Sequence, residues 1–232
     1  MTPVALVTGA DGGLGRALTD ALDAAGWDVA TTDVPAARSE FPADLRQPDA
    51  ASALVAAVAA ARGRLDMLVN NAATMYYGPL DLADLDRWWD TIDVNLGAPF
   101  RLVRAAASEL RRTRGQVVNI ASSHGVMAES GFSAYCSSKA GLIGLTKALA
   151  LELAPAVRVN AIAPGDMDTP QQEVDAAAAG LTREELYAEY ARTIPIGRII
   201  DPAEVARLLV YLAGETGFNG SCIHLNGGSL LV

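Results

Sequence analysis

Short apolar or β-branched runs alternate along the chain with longer stretches rich in alanine and leucine. That alternation is the pattern of repeated strand-helix-strand units, in which each helix carries the chain back across a buried parallel sheet. The runs at 4–8 (VALVT), 28–33 (DVATTD), 39–43, 65–70 (LDMLVN), 115–121 (GQVVNIA), 157–163 (VRVNAIA) and 221–225 (SCIHL) predict strands. Several are apolar at nearly every position, which marks strands covered on both faces. Helices are predicted at about 14–24, 48–62, 82–112, 132–153 and 202–213. The expected class is α/β, a doubly wound parallel sheet of about seven strands flanked by helices on both faces.

One segment breaks the alternation. Residues 166–200 carry polar helical sequence and a prolyl turn, where compact α/β units use short connections. This segment is expected to be a lid or substrate-pocket insertion within one domain spanning 1–232. A chain of 232 residues with 51% hydrophobic positions can enclose such a core.

Charge and cysteine usage remove several function classes. The formal net charge is -9, and the short basic cluster RRTR (111–114) falls where a helix should end. No nucleic-acid partner is expected. No apolar stretch approaches the ~20 residues that cross a bilayer, so no membrane partner is expected either. MTPVALVTG enters a strand pattern without a basic leader, which predicts a cytoplasmic protein. Cys136 and Cys222 are too few for a disulfide framework, and neither they nor His124 and His224 show metal-ligand spacing. No metal is expected.

TGADGGLG (8–15) follows the first predicted strand directly and opens the first helix. Gly9, Gly13 and Gly15 let the backbone turn tightly, approach a pyrophosphate and pack the helix on the sheet, while the helix start offers free amides to the anion. A glycine-rich turn by itself can equally be a tight connection. Asp33 adds the second half of the pattern. It ends the second predicted strand, where a carboxylate accepts from the adenosine ribose and repels a 2′-phosphate. Val34 and Pro35 follow, with no arginine beside the acid. NAD is therefore expected over NADP, with Arg38 as the nearby cation able to alter that preference.

SAYCSSKAGLIG (133–144) places Tyr135 and Lys139 four apart, on one face of a predicted helix. A neighbouring ammonium stabilises phenolate and lowers a tyrosine pKa from its usual value of about 10, as proton exchange near neutral pH requires. The chain has only two lysines, so the placement is informative.

With these motifs in order, the chain resembles the short-chain dehydrogenase/reductase family, of Rossmann type, along essentially its whole length. TGADGGLG is similar to the family's cofactor turn, NNAA (70–73) to its NNAG strand end, and YCSSK to its Tyr-x-x-x-Lys. The family's serine, thirteen positions before the tyrosine, falls on Ser122 in NIASSHG; its helical asparagine falls on Asn95 in DVNLG. PGDMDT (164–169) resembles the PG-x-x-x-T segment.

The resemblance implies an NAD(H)-dependent oxidoreductase that interconverts a secondary alcohol and a ketone. Tyr135 would be the general acid/base and Ser122 would hydrogen-bond the substrate oxygen. Lys139 would lower the tyrosine pKa and hold the nicotinamide ribose, and Asn95 would position a water in the proton relay. Asp44 would lie by the adenine, Asn71 on the adenosine side and Thr169 by the carboxamide. Leu14, Leu45, Ala72, Pro164 and Gly165 complete the implied cofactor set.

By the same analogy the substrate would meet His124, Met127, Tyr77, Asp166 and Met167. Tyr76, Tyr77 and His124 suggest polar contacts on an aromatic wall, compatible with a small or cyclic, hydroxylated substrate. The alternative within the family is a 3-oxoacyl-[acyl-carrier-protein] reductase using NADPH. Asp33, the negative charge and ALALELA (148–154), where such reductases commonly carry a basic residue, weigh against it. A non-catalytic NAD-sensing protein would keep the glycines and lose Tyr135 or Lys139. The resemblance also implies a homotetramer, built through helices 82–112 and 132–153 and through the last helix and strand, with the apolar GGSLLV end seeking a partner surface.

Overall fold

A computed structural model describes residues 1–35 and 37–231, with the side chains at 171, 174, 175 and 178 outside the description. Val232, the last residue of GGSLLV, lies outside the described residues. Strands β1 (Val4–Thr8), β2 (Asp28–Thr32), β3 (Met67–Asn70), β4 (Gln116–Ile120), β5 (Arg158–Pro164) and β6 (Cys222–Leu225) form one sheet in the order β2-β1-β3-β4-β5-β6. Every pairing is parallel.

Successive residues of a strand face opposite sides, so a sheet buried on both faces needs apolar residues at both parities. Val4 and Leu6 of β1 join the core beneath α2 (Ala50–Arg62), α4 (Ala98–Thr113) and α5 (Ser133–Leu153). Ala5 and Val7 join the opposite core beneath α1 (Gly13–Ala24) and α8 (Pro202–Gly214). Helix α8 starts where its sequence says it should. Asp201 accepts from Ala203 N at 2.8 Å, Glu204 accepts from Asp201 N at 3.0 Å, and Pro202 occupies the first turn.

Two predicted elements differ. Residues 39–43 are not a strand, so the sheet has six strands among the described residues. Phe41 N and Ala43 N do bond Thr31 O and Asp33 O, at 3.0 and 2.8 Å. Donation runs one way: among the described residues no β2 amide returns a bond to this segment, so no ladder forms. The predicted 82–112 helix is instead a 3₁₀ turn (Leu80–Leu82), α3 (Leu85–Ile92), a π-helical turn (Asp93–Gly97) and α4. Pro99 cannot return an α-helical bond to the Asn95 carbonyl four residues back, and the chain widens there.

The strand order reverses between β1 and β3, which leaves a crevice beyond the carboxyl ends of the strands. Residues 166–200 stand over it. The segment leaves and returns at one place, with Ile200 N bonded to Asp166 O at 2.8 Å and Asp168 N to Ile200 O at 2.9 Å. Between those ends lie α6 (Gln171–Ala179) and α7 (Arg183–Thr193), the latter opened by a Thr182–Glu185 capping box. Among the described residues no helix is long and apolar enough to cross a membrane.

Candidate active site

The crevice begins at the turn after β1. Gly9 holds φ at +63°, and a Cβ there would stand 2.8 Å from Ala72 Cα. A Cβ on Gly15 would collide with the Gly9 carbonyl. Asn71 pins the turn from the next strand end, giving its side-chain amide to Thr8 O at 2.9 Å and Gly9 O at 3.0 Å. Thr8 Oγ1 accepts in return from Asn71 N and Ala72 N, at 3.0 and 2.9 Å. Gly12 precedes α1 without a side-chain cap, so the first amides of the helix keep their donors for an anion.

A cleft of about 820 Å³ runs from Asp33 and Asp44 past Gly13 to Ser122, Tyr135 and Lys139. All of the predicted cofactor set lines it except Pro164, which ends β5 paired with Leu225. Asp33 is fixed by Asp11 N on Oδ2 at 3.0 Å and by Val34 N on Oδ1. Arg38 does not line the cleft; its amide bonds Asp11 Oδ2 at 2.8 Å. Arg46, which the sequence reading did not single out, does line it. Its guanidinium grips Asp44 with two bonds of 2.9 and 2.8 Å and holds that carboxyl below the usual carboxylate range.

At the other end, Ser122 ends the extended run after β4, accepting from His124 N at 3.2 Å and hydrogen-bonding the Tyr135 phenol. Burial raises the Tyr135 pKa, the Ser122 bond opposes that rise, and Cys136 and Asp166 add to it. Lys139 is 2% exposed, with Nζ 5.6 Å from the Tyr135 ring centroid and donating to Ile120 O at 2.8 Å. Burial lowers its pKa from 10.5 to about 8. The expected net lowering of this tyrosine is not seen: burial outweighs it and the pKa rises. Desolvation of the phenolate dominates, and the ammonium is aimed at a β4 carbonyl.

Asn95 lies behind the cleft wall. Its Nδ2 donates to Thr74 O at 2.9 Å and Ser138 Oγ at 3.0 Å, and its Oδ1 accepts from Thr74 N at 2.9 Å. Of the predicted substrate residues, His124, Asp166 and Met167 line the cleft, whereas Tyr77 and Met127 do not. Tyr77 packs on Phe132 with ring centroids 5.1 Å apart, and Met127 is exposed. His124 bonds Glu129 Oε2 through Nε2 at 2.9 Å and sets its ring 5.8 Å from that of Tyr135. Tyr76 is buried, its hydroxyl accepting from Asp84 N at 2.7 Å. No cluster of three or more metal-ligating side chains occurs among the described residues.

The family model described as enoyl-(acyl carrier protein) reductase matches residues 9–229. The chain belongs to the short-chain dehydrogenase/reductase family. An acetoacetyl-CoA reductase of Shinella zoogloeoides is 37% identical over 100% of both chains. A D-beta-hydroxybutyrate dehydrogenase of Rhizobium meliloti is 33% identical over 98% of both. The solved structure of ligand-free aldohexose dehydrogenase from Thermoplasma acidophilum superposes with a TM-score of 0.93 at 30% identity, covering 100% of this chain and 95% of that one. This short-chain dehydrogenase/reductase is an oxidoreductase acting on CH–OH groups with a nicotinamide cofactor.

The residues of this short-chain dehydrogenase/reductase fit such a dinucleotide. The glycine turn is a cradle that Cβ atoms would fill. Thr32 Oγ1 and Gln172 Oε1 are buried without partners among the described residues, and both residues line the cleft. Arg46 and Gln172 carry no sequence signal of their own, because each enters the cleft from a loop or lid whose path depends on contacts far along the chain.

The buried ammonium sets a test. A pKa lowered on folding means that the native chain holds the Lys139 proton less tightly than the unfolded chain. Stability therefore rises as pH climbs from about 8 to 10.5, and below that window the charge costs about 3 kcal/mol. Lys139→Met should melt at a higher temperature than the wild type at pH 7, with the margin narrowing by pH 10. Melting followed by circular dichroism across that range checks it; equal margins at both ends would contradict the buried charge.

Proposed function

We propose that the enzyme uses NAD(H) to interconvert a secondary alcohol and a ketone on a small or cyclic, hydroxylated substrate. Asp33 carries the cofactor choice. Two backbone amides hold its carboxylate at the adenosine end of the cleft, where it accepts from ribose hydroxyls and repels a 2′-phosphate. Arg46, the guanidinium nearest in function to a phosphate receptor, is committed to Asp44.

Hydride exchange is the chemistry the nicotinamide supplies when bound. Tyr135 gives its phenolic proton to the ketone oxygen in reduction and takes it back in oxidation. Ser122 donates to the same oxygen and stabilises charge as it develops there. Lys139 holds a buried positive charge beside the phenol, which favours phenolate once the proton has left. Asn95 fixes the wide turn of its helix with its side chain. A water in the proton path then rests on the Asn95 carbonyl, to which Pro99 can give no N–H. Residues 166–200 act as the pocket element of one catalytic domain spanning the chain.

The names of the hydroxybutyrate and aldohexose dehydrogenases support a hydroxylated small molecule. That of the acetoacetyl-CoA reductase supports the second reading, reduction of a 3-oxoacyl thioester with NADPH. We also propose a homotetramer. Phe100 on α4, Leu151 on α5 and Tyr211 on α8 are exposed large apolar side chains on the helices that would pair.

Reduced-nicotinamide formation with NAD and NADP in parallel, over sugars, polyols, cyclic alcohols and 3-hydroxyacyl thioesters, should give an NAD-dependent signal on a hydroxylated substrate. Activity confined to NADP and the thioesters would establish the second reading instead. Tyr135→Phe should lower turnover by about a thousandfold while NADH fluorescence titration stays near the wild-type value; retained turnover would remove Tyr135 from the mechanism. Light scattering should return four times the 24.1 kDa chain mass, and a monomer would overturn the assembly.

A further inference from the structure

Gln172 is buried in the first turn of α6, at 6% exposure, yet its Oε1 meets no donor among the described residues. A buried acceptor without a donor is costly, so its persistence points to a partner that arrives from outside the chain. The residue lines the same cleft as Tyr135 and Lys139. Its backbone N–H donates to Thr169 O at 3.0 Å, and the start of α6 rests on the glycine turn: a Cβ on Gly13 would stand 2.8 Å from Pro170 Cδ. Gln172 thus lines the cleft that the glycine turn, Tyr135 and Lys139 share.

Its surroundings hold it there. Arg183 of α7 donates to Glu173 Oε1 at 3.1 Å and pairs with Asp168, which also accepts from the Tyr187 hydroxyl at 2.6 Å. One guanidinium therefore ties Glu173, next to Gln172, to Asp168, four residues before it.

The chemistry of the missing partner can be narrowed. Diphosphate oxygens are acceptors and cannot satisfy Oε1. The donors of a dinucleotide in this half of the cleft are the nicotinamide ribose hydroxyls and the carboxamide N–H₂. The nicotinamide ribose goes to Lys139 by the family resemblance, and this inference rests on the NAD(H) reading proposed above. We infer that Gln172 is a cofactor-binding residue whose Oε1 accepts a hydrogen bond from the nicotinamide carboxamide, tying α6 to the reacting end of the dinucleotide.

The test is equilibrium binding by calorimetry rather than turnover, with three probes. NAD carries the carboxamide, 3-acetylpyridine adenine dinucleotide replaces it with an acetyl group that has no N–H, and ADP-ribose lacks the ring. The wild type should bind NAD about tenfold more tightly than the acetylpyridine analogue. Gln172→Leu should weaken NAD about tenfold, leave ADP-ribose unchanged and bring the ratio of NAD to analogue close to one. Gln172→Glu, which keeps the acceptor, should keep the wild-type ratio. An undiminished ratio in Gln172→Leu overturns the inference. So does an ADP-ribose loss as large as the NAD loss, which would turn the amide toward the diphosphate. Failure of both NAD and ADP-ribose to bind the wild type would overturn the dinucleotide reading, and this inference with it.

Discussion

Three stretches of backbone meet almost without side chains where the sheet reverses direction, and the rest of the site depends on that contact. Gly15 lies on the Gly9 carbonyl, Gly9 on Ala72, and Gly13 on Thr169 and Pro170. Any Cβ at these positions would push apart β1, α1, the end of β3 or the base of the lid. Asn71 and Thr8 lock the arrangement with four hydrogen bonds between two strand ends. Closeness here has a functional consequence. It leaves the uncapped amides of α1 facing the cleft that Asp33 and Asp44 line together with Ser122, Tyr135 and Lys139.

The second constraint is a buried charge. One hydrogen bond from an ammonium to a carbonyl contributes about 1.5–3 kcal/mol, whereas taking the ion out of water costs several kcal/mol. Burial wins for Lys139, and its pKa falls to about 8, still high enough for the group to carry its proton at neutral pH. The fold tolerates that charge because the Ile120 carbonyl of β4 accepts its hydrogen bond at 2.8 Å. Around it a second polar set, Asn95 with Thr74 and Ser138, satisfies its donors internally. The wide turn that carries Asn95 is thereby fixed against α5.

The lid obeys the same economy of contacts. Its two ends meet in a single bridge between Met167 and Ile200, and Arg183 on α7 binds Asp168 near the start of the segment and Glu173 on α6. Its position over the crevice comes from those ties and from Thr169 and Pro170 seated on Gly13. The cleft wall it contributes includes Gln172, whose Oε1 meets no donor among the described residues.

What the sequence by itself determined was local or periodic. The parallel α/β class follows from alternating apolar and helical runs. The glycine turn follows from its place between a strand and a helix, and the Tyr135–Lys139 pair from the spacing of a helix face. Asp33 was legible because a strand end needs few residues to specify it. The family resemblance placed Ser122 and most of the cofactor set within one cleft. Only the tertiary structure decided that residues 39–43 skirt the sheet edge, that Pro99 splits one long helix, that Tyr77 and Met127 stay off the cleft wall, and that Arg46 and Gln172 enter it. It also reversed the pKa expectation for Tyr135. Spacing specifies which groups are neighbours, but desolvation and hydrogen-bond partners depend on everything that packs around them, and those neighbours come from distant parts of the chain.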